Sequence, residues 1–211
     1  MTKQELLHEL NQDTDWVRER AYGISIKYEK VIKKVTDRKI LGFVNYTTPK
    51  HNKVLVAWTT YYISGSHVIA PVTFFCCPTN RGYQYINLVA DTRGTIQIPI
   101  IYTSHAMDRL KERSNLTIQD VIRIGEKQSY GRCFLRDYEY EGRQSKALVL
   151  EGHGMFIMVE QEWGLYAVTY IDKDRQGEVQ NQISDDYDKT LWKSNGEIKN
   201  VIEGVVTARS L

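Results

Sequence analysis

The sequence predicts an α+β protein on antiparallel sheets: a C-terminal β-α-α-β-β-β-β unit preceded by an N-terminal helix-plus-meander region. Three observations predict it. Residues 53–101 hold four segments rich in β-branched and aromatic residues, separated by short turn signals. Residues 105–113 and the segment beginning "LTIQDV" switch to helical spacing with caps. Residues 132–172 then return to four apolar runs divided by glycine-bearing turns.

In chain order, residues 3–10 read as a short helix and 14–35 as a longer one. The longer one carries Val17, Ala21, Ile24, Tyr28, Val31 and Val35 at alternating spacings of four and three, an a/d seam. Thr14 suits its N-cap, and Gly23 weakens it by about 1 kcal/mol relative to alanine. Arg18, Arg20, Lys27, Lys30 and Lys34 occupy the opposite face. The seam packs either on this protein's own sheet or on a partner helix, including a second copy. The strands "KVLVAWTTYYI", "VIAPVTFFC", "GYQYINLVA" and "TIQIPII" follow, with turns at "SGSH", "PTNRG" and "DTRG". Pro71 and Pro99 cannot donate to a ladder and belong at an edge, a strand start or a bulge.

Ser104 is placed to cap a helix over 105–113. Thr117 caps the next, with Asp120 closing an acidic capping box and Leu116 and Val121 at staple positions; Gly125 or Gly131 ends it. The strands "RCFLRDYEY", "KALVLEG", "MFIMVEQE" and "LYAVTYID" form a second meander, in which "ALVL" and "FIMV" read as buried on both faces. A soft boundary near 92–96 divides an N-terminal region of no assigned role, 1–95, from 96–172, although one sheet running across both is the other arrangement. Residues 173–211 read as an acidic linker and a C-terminal helix, the helix over 194–208.

Composition narrows the classes. The net charge of +2 excludes a polycation. Residues 1–95 nevertheless hold 13 basic and 8 acidic groups, and 151–211 hold 6 and 11. This asymmetry allows an anionic partner on the front two thirds and argues against one near the C-terminus. Cys76, Cys77 and Cys133 are neither a disulfide framework nor a C-x-x-C zinc pattern. They read as reduced thiols in a cytoplasmic protein. The first ten residues lack the pattern of a signal peptide, and no apolar run reaches the roughly 18 residues of a membrane span. The sequons at Asn45 and Asn115 carry weight only in a secreted protein. Fourteen tyrosines suit half-buried strands first and base stacking second.

One stretch carries chemistry. In "YTSHAMDRLKER", residues 102–113, helical spacing lines up His105, Arg109 and Arg113, with Asp108 and Glu112 beside them. An imidazole can take and give a proton near neutral pH. Arginine forks match phosphate oxygens and keep their charge. One histidine with two arginines fits metal-independent cleavage of a phosphodiester, with the base activating a ribose 2′-hydroxyl. The same residues also make an ordinary salt-bridged, solvated helix face. Further along, Tyr130, Arg132 and Arg136 stand at the start of a strand, the two arginines on one face. Tyr170, on the last strand, adds a hydroxyl or a stacking ring. His153 in "GHG" reads as a turn residue. A zinc site from His51, His67 and a cysteine has no supporting spacing. Cys133 falls on the strand face away from the arginines, against a Cys-His pair.

The strand, then "S-x-H-A-x-x-R-x-x-x-R", the capped helix beginning "LTIQDV", and the meander ending "YAVTYID" resemble the RelE/BrnT-like toxin superfamily over residues 98–172. Its members are small ribonuclease toxins or domains derived from them. The resemblance implies His105 as general acid or base and Arg109 and Arg113 as phosphate ligands, with Arg132 and Tyr170 accessory. No cofactor or metal is implied. Ser114 stands where the family usually has glycine. The expected function is RNA binding or cleavage. The competing one is a non-enzymatic interaction or assembly module, of the kind a phage or mobile element encodes, whose helix 14–35 docks a protein partner.

Overall fold

A computed structural model of the chain describes residues 2–36, 38–90, 97–129, 135–140, 142–177, 180–181 and 183. Helix α1 (Lys3–Arg18) opens the chain, followed by the short helices α2 (Ala21–Lys27) and α3 (Glu29–Ile32). Five strands come next: β1 (Lys39–Thr47), β2 (Lys53–Ile63), β3 (Ser66–Thr79), β4 (Gly82–Ala90) and β5 (Gln97–Tyr102). After α4 (Ser104–Ser114) and α5 (Ile118–Ser129) come β6 (Leu135–Tyr140), β7 (Arg143–Leu150), β8 (Gly154–Gln161) and β9 (Gly164–Asp172). This is the expected α+β class.

The helical N-terminus is cut differently from the expectation. Thr2, not Thr14, is the cap: its hydroxyl accepts from the Glu5 amide while the Glu5 carboxylate accepts from the Thr2 amide. Thr14 lies inside α1, and its hydroxyl donates back to the Leu10 carbonyl at 2.8 Å. The long helix instead breaks at Glu19–Arg20 and again at Tyr28. Most of the seam still turns inward, but Val31 is 39% exposed. Leu10, Val17 and Ile24 are buried against Val54, Val56, Trp58, Phe75, Ile86 and Ile101, with Ala21 and Tyr28 packed beside them.

All nine strands join one sheet, in the order β1-β2-β3-β4-β5-β9-β8-β7-β6. Strand β1 was not expected from the sequence. It is a half-buried edge strand with a bulge between Ile40 and Gly42, so its apolar alternation is blurred. The two meanders fuse because β5 pairs with β4 on one side and β9 on the other, so the sheet is continuous across the expected 92–96 boundary. The β5–β9 pairing is parallel, the exception in an otherwise antiparallel sheet. Helices α4 and α5 carry the chain over one face, and the return through β6, β7 and β8 aligns β9 with β5. Gly164 permits this join: a Cβ there would lie 2.2 Å from the Pro99 carbonyl oxygen.

The β2–β3 hairpin turns on Ser64 and Gly65, both with positive φ, the backbone of a tight two-residue loop. Helices α4 and α5 bury Ala106, Leu110, Ile118, Val121 and Ile122 against Leu55, Phe74, Tyr102, Leu148, Phe156 and Tyr170. Helix α5 packs against both β1 and β7, so the sheet curls around the α4–α5 pair. The capping box of α5 forms as expected, with Thr117 and Asp120 exchanging backbone bonds of 3.0 and 3.4 Å. The helix runs through Gly125, and Gly131 lies outside the described residues. So do residues 194–208 and most of the expected linker.

Candidate nucleic-acid interface

Helix α4 is capped by Thr103, one residue before the expected Ser104. The Thr103 hydroxyl accepts from the Ala106 amide and donates to the Ala167 carbonyl of β9 at 2.7 Å, which ties the helix start to the sheet. Ala106 and Leu110 then point inward. Each step of four residues turns the side chain about 40° further round a helix of 3.6 residues per turn. His105 is exposed, Arg109 lies 40° on, and Arg113 has turned to the buried side.

Arg113 is therefore turned away from the face that His105 and Arg109 share. Arg109 pairs with Glu112 of its own helix at 2.8 Å. Arg113 Nη1 donates to the Tyr170 carbonyl, and its Nε is buried without a hydrogen bond among the described residues. Tyr170 is 0% exposed, so its ring is not a stacking surface for a base. Burial pushes its phenol up, and the protonated hydroxyl donates to the His153 carbonyl at 2.8 Å and meets Ser114 Oγ at 2.9 Å. Arg113, Ser114 and Tyr170 form a buried bracket between α4 and β9. Gly154 makes room for it: a Cβ there would lie 2.8 Å from the Tyr170 hydroxyl and 2.2 Å from the Ile171 carbonyl. His153 itself is an exposed turn residue, as expected.

Tyr130 and Arg132 lie outside the described residues, as does Cys133. Arg136 sits in β6, opposite Ala147 of β7 and at the far edge of the sheet from β1. His51 precedes β2, whereas His67 pairs with Tyr62 at the other end of that strand, about 30 Å of extended chain away. Among the described residues no cluster of three metal-ligating side chains occurs. Burial holds the Cys76 and Cys77 thiols above their ordinary range, so neither is a ready nucleophile.

A different surface gathers suitable groups. On the α4–α5 side of the sheet, α5 packs against the start of β1 through Ile40 and Phe43. The other end of β1–β4 is open. The strand register aligns Thr47 with Lys53 and Cys76 with Tyr85, and Lys53 and Cys76 lie one residue beyond the Val54–Phe75 pair that ends the β2–β3 ladder. Tyr83, two residues from Tyr85, shares its face. The two rings lie 6.5 Å apart at 38°, and Tyr83 is 47% exposed. A recess of about 350 Å³ is lined by Asn45, Tyr46, Thr47, Lys53, Cys76 and the two tyrosines, together with Val54. No carboxylate is among these residues, and Lys53 makes no ion pair among the described ones. Lys50 and Arg81, both exposed, stand in the loops at the same end of the sheet. The period-two placement of Tyr83 and Tyr85 in "GYQYINLVA" was the available sequence signal. Nothing local shows that their face is left uncovered.

No family model, curated protein or solved structure matches this chain, so the geometry alone carries the functional reading. No helix is long and apolar enough to cross a membrane among the described residues.

Proposed function

We propose that this protein binds single-stranded RNA on the open end of β1–β4 and does not cleave it. The observation that supports this is the exposed Tyr83 ring beside Tyr85, in a recess that holds Lys53 and, among the described residues, no carboxylate. Aromatic rings on a sheet face accept unpaired bases, each stack worth about 1–3 kcal/mol, and cations beside them hold the phosphates. Asn45 offers amide donors and an acceptor to a base edge. Binding is favoured over cleavage because both arginines of α4 are engaged elsewhere: Arg109 pairs with Glu112 and Arg113 donates to the β9 backbone. The relation to ribonuclease toxins is thus a proposal of ancestry in fold, with the catalytic face unused.

Fluorescence anisotropy with a labelled oligouridylate tests it. Tyr83→Ala/Tyr85→Ala should weaken binding at least about tenfold. His105→Ala should leave it unchanged, and no cleavage products should appear on a gel. A wild type that does not bind, or a tyrosine variant that binds equally well, overturns the reading. RNA cleavage lost in His105→Ala would restore the catalytic one.

A second reading has its own observation. Tyr22 and Ile26 on α2 are 77% and 60% exposed, although the seam beside them is buried. That patch suits self-association. Sedimentation of wild type against Tyr22→Ser/Ile26→Ser decides it, with a dimer lost in the variant as the supporting result.

A further inference from the structure

The edge strand β1 connects the tyrosine recess to a second basic feature. Between α3 and the start of β1 lies a cavity of about 510 Å³ lined by Lys30, Val31, Lys34, Val35, Thr36, Arg38 and Lys39. Among the described residues four of the lining are cations and none is an acid, and Asp37 lies outside the described residues. Lys33, the neighbouring cation, is taken up by Glu29. Arg38 pairs with the mostly buried Glu126 of α5 and lies over the Tyr61 ring, so it shapes the wall more than it adds charge. Lys30, Lys34 and Lys39 have no ion-pair partner among the described residues.

A neighbouring recess of about 410 Å³ shares Arg38 and Lys39 and continues along β1 to Phe43, Arg123 and Glu126. There the Arg123 guanidinium lies 4.8 Å over the Phe43 ring and pairs with Asp120. Asn45, two residues beyond Phe43 on the same face, already belongs to the tyrosine recess. Three recesses therefore follow one another along a strand of nine residues, about 30 Å at 3.3 Å per residue. The path crosses the sheet edge at Arg38–Lys39.

We propose that the phosphate chain of bound RNA leaves the tyrosine recess, follows β1 and ends in the Lys30/Lys34/Lys39 cavity. This inference rests on the RNA-binding reading and adds the route of the backbone to it. The rings hold bases at one end, and the lysines hold only charge at the other. A sequence-independent, salt-sensitive contribution therefore belongs to the cavity.

The test uses the full chain and labelled oligouridylates of about four and about twelve nucleotides, a range that brackets the sites of single-strand binders. Lys30→Gln/Lys34→Gln/Lys39→Gln removes three exposed cations, and circular dichroism checks that the fold is kept. On the long oligonucleotide, the slope of log affinity against log salt should fall by about 2, near 0.7 for each lost phosphate contact. Binding of the short oligonucleotide should stay within about twofold, because it occupies only the recess. Tyr83→Ala/Tyr85→Ala should weaken both. A triple variant equal to wild type on both lengths, or one that loses equally on both, overturns the route and leaves the RNA reading standing. Failure of wild type to bind either oligonucleotide overturns both.

Discussion

The two ends of the one sheet are finished in opposite ways. In β8, Met155, Phe156, Ile157 and Met158 are consecutive and all fully buried: α4 and α5 lie over one face, and on the other Met155 and Ile157 cluster with Ala147, Val149 and Ile171 of the flanking strands, with Ile183 packed against them. In β4, Tyr83 is exposed and Tyr85 half-buried beside it, with Lys53 and Asn45 as neighbours. A strand whose apolar residues run without a break is a strand covered twice. A strand that alternates tyrosines with polar residues is covered once, and the uncovered face is where a ligand meets the protein. The contrast separates stability from recognition within a single layer.

The largest expected effect breaks the contrast most directly. Phe156→Ala should cost about 3–5 kcal/mol, since its ring contacts Tyr102 and Tyr170 and the void cannot be filled by water. Tyr83→Ala should change stability by about 0.5 kcal/mol or less. Urea midpoints of the two variants measure this, and comparable losses would mean that the β4 face is covered after all.

A smaller effect sharpens the same division within α4. Arg113→Gln strips a charged donor from the Tyr170 carbonyl beneath the helix and should cost about 1–3 kcal/mol. Arg109→Gln breaks only an exposed pair on the helix surface and should cost about 0.5 kcal/mol or less. Equal losses would place both arginines in one environment, which is the arrangement a catalytic face requires.

The smallest effect lies where α5 starts. Asp120→Ala should cost about 1 kcal/mol through the lost cap. The Thr117 hydrogen bonds, with Arg123 beside them, hold the Asp120 carboxyl below its ordinary range, although partial burial opposes them. A carboxylate held low in the folded state stabilises it above the unfolded group's pKa, and that contribution fades as pH falls through the folded value. The difference in melting temperature between wild type and Asp120→Ala should therefore narrow on acidification from neutral pH. A difference that grows would reverse the assignment.

Much of the fold was legible. The segments "KVLVAWTTYYI" and "GYQYINLVA" coincide with β2 and β4, and the α5 capping box was readable from Thr117 and Asp120. The apolar run around Phe156 announced a strand buried on both faces. The edge strand β1 was harder, because a bulge and Gly42 interrupt its alternation. The site was less legible. Spacing placed His105, Arg109 and Arg113 in a row, whereas the helical drift and the pull of the Tyr170 carbonyl divide them.

By itself the sequence determined what depends on neighbours along the chain: where most strands and helices form, which side chains share a face, and how α5 is capped. Only the tertiary structure decided which faces are covered. The parallel join of β5 to β9 merged two meanders into one sheet, curled it around α4 and α5, and left Tyr83 exposed and Tyr85 half-buried while Tyr170 was sealed. Local periodicity sets the direction of a side chain, but burial depends on elements distant in sequence, so two tyrosine-bearing strands of similar composition came to serve opposite ends.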